Sequence, residues 1–274
     1  MMYYDHFALT DTGCVREHNE DDHLLLPNLG LFVVADGMGG HACGEVASRI
    51  SVESVRDYYL DTPQREQLHR DFAEQCLRRD MPTLSSPSEL VLRKAVEYGN
   101  ARIFSEASSD PALEDMGTTF VGCVFVGSRC YLAHVGDSRA YRYRDQRLLQ
   151  LTEDHSLANE YIRMRVLKPE DLPNFPYKNV IVRALGLQAE VVVDTQARTC
   201  RPGDRYLLCS DGLTDLVSDE EIYDVLAAWD GAENAARELV RRALAYGGVD
   251  NVTVLIVDTH AHPHRAPTTV EDTP

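Results

Sequence analysis

No CxxC pair occurs in this chain, and its seven cysteines, at 14, 43, 76, 123, 130, 200 and 209, are an odd number. That pattern argues for free thiols in a reducing compartment rather than a disulfide framework, and Cys123, Cys130 and Cys209 sit inside apolar runs where thiols are inert. No apolar run approaches the ~20 residues of a membrane span. No basic segment followed by an apolar one opens the chain, so no secretory signal is expected and a cytoplasmic protein is. Positive charge is scarce: 27 lysines and arginines stand against 44 aspartates and glutamates, a formal net charge of −17. Binding to nucleic acid or to an anionic membrane surface is therefore not expected. No Gly-Lys-Ser/Thr follows the glycines at 37, 39 and 40, which excludes a P-loop.

What is present is ordinary in bulk, with 274 residues, 44% hydrophobic and 26% charged. The distinctive feature is four aspartates at the ends of apolar, strand-like runs: Asp36, Asp137, Asp211 and Asp250, with a fifth acidic pair at Glu20 and Asp21. A carboxylate at the mouth of a buried strand is costly unless something positive meets it. Several such sites on one chain suggest one shared cationic centre, and hard divalent ions held by oxygen ligands are the simplest candidate.

The spacing of apolar residues predicts strands over about 6–35, a helix over about 44–60, helix-compatible sequence over 64–79 and an amphipathic helix through Leu92, Val96, Gly99 and Ile103. Short β-rich runs follow at 120–126, 130–135 and 140–144, the first two joined by Gly127 and Ser128 as a hairpin. Residues 155–180 lack a clean period and read as a surface excursion. Strands are expected at 191–194, 205–209 and 252–257, and helices at 218–228 and 232–246. Helical pairs separated by antiparallel hairpins argue an α+β fold. One domain over 1–259 is expected, because aspartates that share a site cannot be separated by a boundary, with a polar, disordered tail over 260–274.

The run after residue 35 also fits G-x-G-x-x-A, the dinucleotide fingerprint, which needs a βαβ unit. Helix is read between 60 and 110 where the second strand should lie, and Asp137, Asp211 and Asp250 would go unexplained.

Eight segments occur in one order: REHNED at 16–21, VADGMGGH at 34–41, MGTT at 116–119, VGDSR at 135–139, LTEDHS at 151–156, VRALG at 182–186, CSDGL at 209–213 and DNVT at 250–253. Together they resemble the bacterial members of the PP2C-like (PPM) family of metal-dependent serine/threonine protein phosphatases, over roughly residues 8–258. The resemblance implies two antiparallel β-sheets packed as a central sandwich, flanked by pairs of α-helices, with the metals at one end. It implies hydrolysis of phosphoserine and phosphothreonine in proteins by a metal-bridging water or hydroxide attacking phosphorus in line, reversing kinase signalling. By the same resemblance, Asp36 bridges two Mn²⁺ or Mg²⁺ ions, the Gly37 carbonyl and Glu20 hold one, and Asp211 and Asp250 hold the other. Asp137 with Asp211 resembles the ligand set of a third, weaker ion, and Arg16 the clamp on the substrate phosphate. Asp21, Asp215, Asn251 and His41 take supporting positions; for Asp215 a solvated helix-start acid is the alternative.

The chemistry wants these parts independently. Two ions sharing a water can deliver hydroxide at neutral pH, and an arginine fork grips two phosphate oxygens at once. Animal relatives carry a histidine where this chain has Met38, which cannot donate a proton; a metal-bound water or His41 is the replacement. His155 reads as an anchor for the segment after it. The excursion at 155–180 matches the family's flap, with Arg163, Met164 and Arg165 where a glycine often stands, and is expected to contribute to substrate choice. Expected partners are serine/threonine kinases and their targets. In the tail, Thr269 and Asp272 fit the phosphothreonine pattern read by FHA domains, although a featureless acidic tail is favoured. His260, His262 and His264 are read as ordinary tail residues.

Overall fold

Runs such as residues 31–35 are apolar at every position because they are buried on both faces, as the computed structural model of the chain makes plain. It describes residues 2–39, 43–77, 86–168, 170–171, 175–177 and 179–261. In chain order the elements are β1 (Met2–Asp11), β2 (Asp21–Leu26), β3 (Leu31–Met38), α1 (Cys43–Leu60), α2 (Thr62–Leu77), α3 (Pro87–Ser109), β4 (Gly117–Thr118), β5 (Phe120–Val126), β6 (Arg129–Val135), β7 (Arg139–Arg144), β8 (Arg147–Gln150), α4 (Leu157–Arg163), β9 (Asp194–Thr199), β10 (Arg205–Cys209), α5 (Asp211–Thr214), α6 (Asp219–Ala228), α7 (Ala232–Ala245) and β11 (Val252–Ala261).

Two antiparallel sheets result, one ordered β1-β11-β10-β7-β8, the other β2-β3-β5-β6-β9 with β4 on β3. The period-two alternation of each strand sorts its side chains into separate layers. On β3, Leu31, Val33 and Ala35 meet α1 and α3, while Phe32 and Val34 pack between the sheets. On β10, Leu207 and Cys209 face α6 and α7, while Tyr206 and Leu208 face the opposite sheet. β11 divides likewise, with Val254 and Ile256 outward and Leu255 and Val257 inward. The sandwich is thus four layers, helix–sheet–sheet–helix, and each fully buried Leu, Val or Phe side chain contributes roughly 1.5–3 kcal/mol. No disulfide forms among the described cysteines.

Several elements differ from the sequence reading, β8, α4 and α5 among those it did not expect. β9 begins at Asp194, where pairing with His134 of β6 starts, so residues 191–193 are not strand; Val193 is buried without joining the ladder. β11 runs on through His260 and Ala261, which pair with Tyr3 and Met2, so the strand takes in the first two residues expected of the tail. The excursion at 155–180 carries α4, capped by the Ser156 hydroxyl accepting from the Asn159 N–H. Arg165 adopts φ 59°, the left-handed region that favours glycine. Residues 262–274, with Thr269, Asp272, His262 and His264, lie outside the described residues, as does His41.

Candidate metal centre

On β3, Asp36 continues the face of Phe32 and Val34, so its carboxylate emerges where the inter-sheet core ends. Its register partner across the ladder is Asp21 of β2, and two like charges directly opposite repel. Asp211 opens α5 after β10, Asp250 precedes β11 and Asp137 follows β6. All five aspartates therefore arrive at one end of the sandwich from strand termini. The main chain there is fixed from several sides. Thr119 accepts the Asp36 N–H on its hydroxyl (3.0 Å) and donates its own N–H to the Asp36 carbonyl (2.8 Å). The Thr118 hydroxyl donates to the same carbonyl (2.9 Å).

The loop carrying Arg16 and Glu20 is bracketed by Asn251. Its Oδ1 accepts the Glu20 N–H (2.8 Å), and its Nδ2 donates to the carbonyls of Thr12 and His18 (2.9 Å each). Asn251 is thus a strut rather than a ligand. Arg16 Nη2 donates to Asp250 Oδ2 at 2.7 Å, which holds the guanidinium above its ordinary pKa, and the charges of Glu20 and Asp36 act in the same direction. Glu20 is raised by burial, opposed by Arg16 and by the Gly44 N–H that its carboxylate accepts.

The electrostatics are those of a site short of positive charge. Burial first, then the charges of Asp21, Asp211 and Asp137, push the Asp36 carboxyl well above the usual range. Burial raises Asp21, and the hydroxyls of Thr253 and Ser210 pull it partly back; the Ser210 bond is 2.7 Å. Burial and then Asp211 raise Asp137, and burial with Asp215 and Asp250 raises Asp211. Two side-chain oxygens, Asp21 Oδ1 and Asp137 Oδ1, are buried without a hydrogen-bond partner. Crowded carboxylates with orphaned oxygens, and no nitrogen or sulfur donor among them, fit hard divalent cations such as Mg²⁺ or Mn²⁺. Adding Mn²⁺ to chelated protein at about 100 times its dissociation constant is expected to stabilise it by about 2.7 kcal/mol. Scanning calorimetry should record that as a rise in Tm of about 5–10 °C; an unchanged Tm would mean that these carboxylates hold no ion.

Asp137 and Asp211 share an open cavity of about 440 Å³ with Asp215. Asp215 ends α5 rather than starting a helix and, although exposed, accepts a 2.7 Å hydrogen bond from Asn179 Nδ2, tying the flap to the metal end. His155 anchors both ends of the flap, its carbonyl accepting from Val182 N–H (2.9 Å) and its Nδ1 from Gly136 N–H (3.0 Å). Burial and the neighbouring His134 depress its pKa to about 4, so it is neutral.

Sequence reasoning missed several contributors. Gly44, read only as the start of a helix, packs against Gly37: a Cβ on Gly37 would lie 2.1 Å from the Gly44 carbonyl oxygen. Arg139 clamps Asp154 through Nε and Nη2 beside Asp137. Asp194 and Arg183 surround His155 at 3.1 and 3.0 Å. Arg139, Asp154 and Arg183 stand in VGDSR, LTEDHS and VRALG, but their separation along the chain hides that they meet, and Asp194 stands in none of these segments.

Residues 15–246 match the family described as protein phosphatase 2C. The chain is 38% identical over 252 residues to a protein named serine/threonine phosphatase stp from Listeria welshimeri, covering 91% of this chain and 93% of that one. Its fold superposes on the crystal structure of the Mycobacterium tuberculosis serine/threonine phosphatase PstP with a TM-score of 0.81 at 37% identity, covering 94% of this chain and 99% of that one. A structure of the catalytic domain of PstP in complex with two manganese ions gives a TM-score of 0.79 at 36% identity, covering 95% of this chain and 100% of that one.

Proposed function

The chain belongs to the protein phosphatase 2C family and is a metal-dependent serine/threonine protein phosphatase; from that premise we propose which of its residues do the work. Asp36, Asp211, Asp250, Glu20 and the carbonyl of Gly37 hold two divalent ions. Bound there, the ions supply an acidified water and positive charge for the phosphoryl oxygens. Asp137, with Asp211, holds a third, weaker ion. Asp21 stays behind the ligands, its Oδ2 accepting from the Ser210 hydroxyl, and steadies the start of β2 beneath Asp36.

Arg16 grips the substrate phosphate. It stands half-exposed beside Asp250, so its fork is open to solvent while its position is set by a ligand of the centre. Two parallel N–H bonds fix the phosphate's orientation as well as its affinity. Arg16→Lys is expected to lower kcat/KM for a phosphothreonine peptide about tenfold, mostly through KM, because an ammonium keeps the charge but loses the fork. Equal KM in the two proteins would remove Arg16 from that role.

The substrates proposed are phosphorylated proteins, serine/threonine kinases and their targets among them, in the cytoplasm. No helix among the described residues is long and apolar enough to cross a membrane. The observation that carries the reading is the convergence of five strand-end aspartates, two of them with an orphaned buried oxygen. Chelated protein should leave a phosphothreonine peptide intact and hydrolyse it on addition of Mn²⁺. Folded protein that stays inert with every divalent ion tried would leave a phosphoprotein-binding module instead.

A further inference from the structure

Four arginines gather beside one turn of this acidic chain. β7 and β8 are joined by Asp145 and Gln146, both at positive φ (49° and 56°), which makes a two-residue hairpin. Beside it Arg142, Arg144, Arg147 and Arg201 line a recess of about 630 Å³ in which Asp145 is the single acid among the described residues. Arg144 is engaged by Asp204 and the Thr199 carbonyl. The side chains of Arg142, Arg147 and Arg201 make no hydrogen bond or ion pair among the described residues, and Arg142 Nε is buried without a partner. A desolvated N–H without an acceptor is unfavourable, and grouped guanidinium ions repel one another. Both penalties vanish when an oxyanion occupies the recess.

The recess is connected to the catalytic end. β8 is the edge strand of its sheet. At one end of it, Gln150 lines the cavity of Asp137 and Asp211; at the other, Arg147 lines the arginine recess. An extended peptide advances about 3.3 Å per residue, so a chain leaving the cavity beside Gln150 draws level with Arg147 about three residues on. On the other side of β8, Asp219, Glu220 and Asp224 of α6 line a second recess that Gln150 and Arg147 also border; these acids repel an acidic chain there and leave the arginine recess as its place. We infer that the recess formed by Arg142, Arg147 and Arg201 docks an anionic side chain of the phosphoprotein substrate, a carboxylate or a second phosphate, about three or more residues from the phosphorylated residue. This rests on the phosphatase reading and adds to it a preference for acidic flanking sequence.

The test compares two phosphothreonine peptides that differ only in carrying aspartate or asparagine about three to five positions from the phosphothreonine, on either side. With Mn²⁺ at low salt, the acidic peptide is expected to show about a tenfold higher kcat/KM, the difference lying in KM and disappearing near 0.5 M salt, where charges are screened beyond about 4 Å. The exposed pair Arg147→Glu and Arg201→Glu should abolish that preference while leaving hydrolysis of para-nitrophenyl phosphate, too small to span β8, unchanged. Fluorescence anisotropy of the acidic peptide on chelated protein reads docking without turnover, and the double variant should lose it. Equal kcat/KM for the two peptides, or a preference that survives in the variant, would overturn the inference. Loss of hydrolysis of every substrate, with arginine-dependent peptide binding intact, would overturn the phosphatase reading and leave the docking site standing.

Discussion

Asp36→Asn protein supplied with Mn²⁺ is expected to hydrolyse a phosphothreonine peptide about a thousandfold more slowly than the parent, yet to be at least as stable when both are chelated. The two halves of that expectation have one cause. Asp36 lies opposite Asp21 in the β2–β3 ladder and within hydrogen-bonding reach of Asp211. In the absence of a cation its ionised carboxylate is held among others, and burial together with that company drives its pKa upward. An amide removes the repulsion while keeping the shape, so the chelated variant should match or exceed the parent's Tm. The same change removes the charge that would bring two ions together, and losing electrostatic stabilisation at a reacting centre costs about 4 kcal/mol, or three orders of magnitude in rate. Steady-state rates with Mn²⁺ and calorimetry with chelator distinguish the cases. A variant that is inactive and also less stable when chelated would make Asp36 a structural residue; one that keeps full activity would move the centre elsewhere.

Stability that runs opposite to activity also explains what could be read from the sequence. Asp36, Asp137, Asp211 and Asp250 stand out because an acid ending a doubly buried run contradicts its surroundings, and that contradiction is local in the chain. These strands were legible for the same reason: residues 120–125 and 206–209 carry no charged side chain because both faces are covered. Contacts made across long separations carried no such mark. Arg139 meets Asp154 fifteen residues on, and Asn251 holds Glu20 from 231 residues away; the motif DNVT named Asn251 without saying that it is a strut. Residues 191–193 misled because valines suit a strand, while the ladder that decides the matter starts at Asp194. For Asp215 the sequence left a supporting position and a solvated helix-start acid side by side, and only the Asn179 bond shows that it lies at the seam between flap and centre.

Gly44→Ala should have the second largest effect, and it concerns a residue whose role lies wholly in three-dimensional contact. A Cβ on Gly44 would lie 2.7 Å from the carbonyl carbon of Gly37, 2.8 Å from the Met38 nitrogen and 2.8 Å from Cδ of Glu20. The first two are backbone atoms of the strand that presents Asp36, and they cannot turn aside as a side-chain end can. Helix α1 must therefore withdraw from β3, or β3 must shift. Overpacking of this kind costs about 1–3 kcal/mol, and a displacement near 1 Å at a reacting centre about a hundredfold in rate. The Gly44 N–H also supports the Glu20 carboxylate, so the Mn²⁺ concentration for half-maximal activity should rise. Gly99→Ala is the control. That glycine lies in α3 facing α1, but its Cβ would meet Ser54 and Ser51 at 3.6 and 3.8 Å, ordinary contact distances. There the substitution should stabilise the helix by up to about 1 kcal/mol and leave the metal dependence unchanged. If Gly44→Ala behaves like Gly99→Ala, the close approach of α1 to β3 does not set the geometry of the centre; if it loses activity and metal affinity while Gly99→Ala keeps both, the helix N-terminus is part of the metal site's frame.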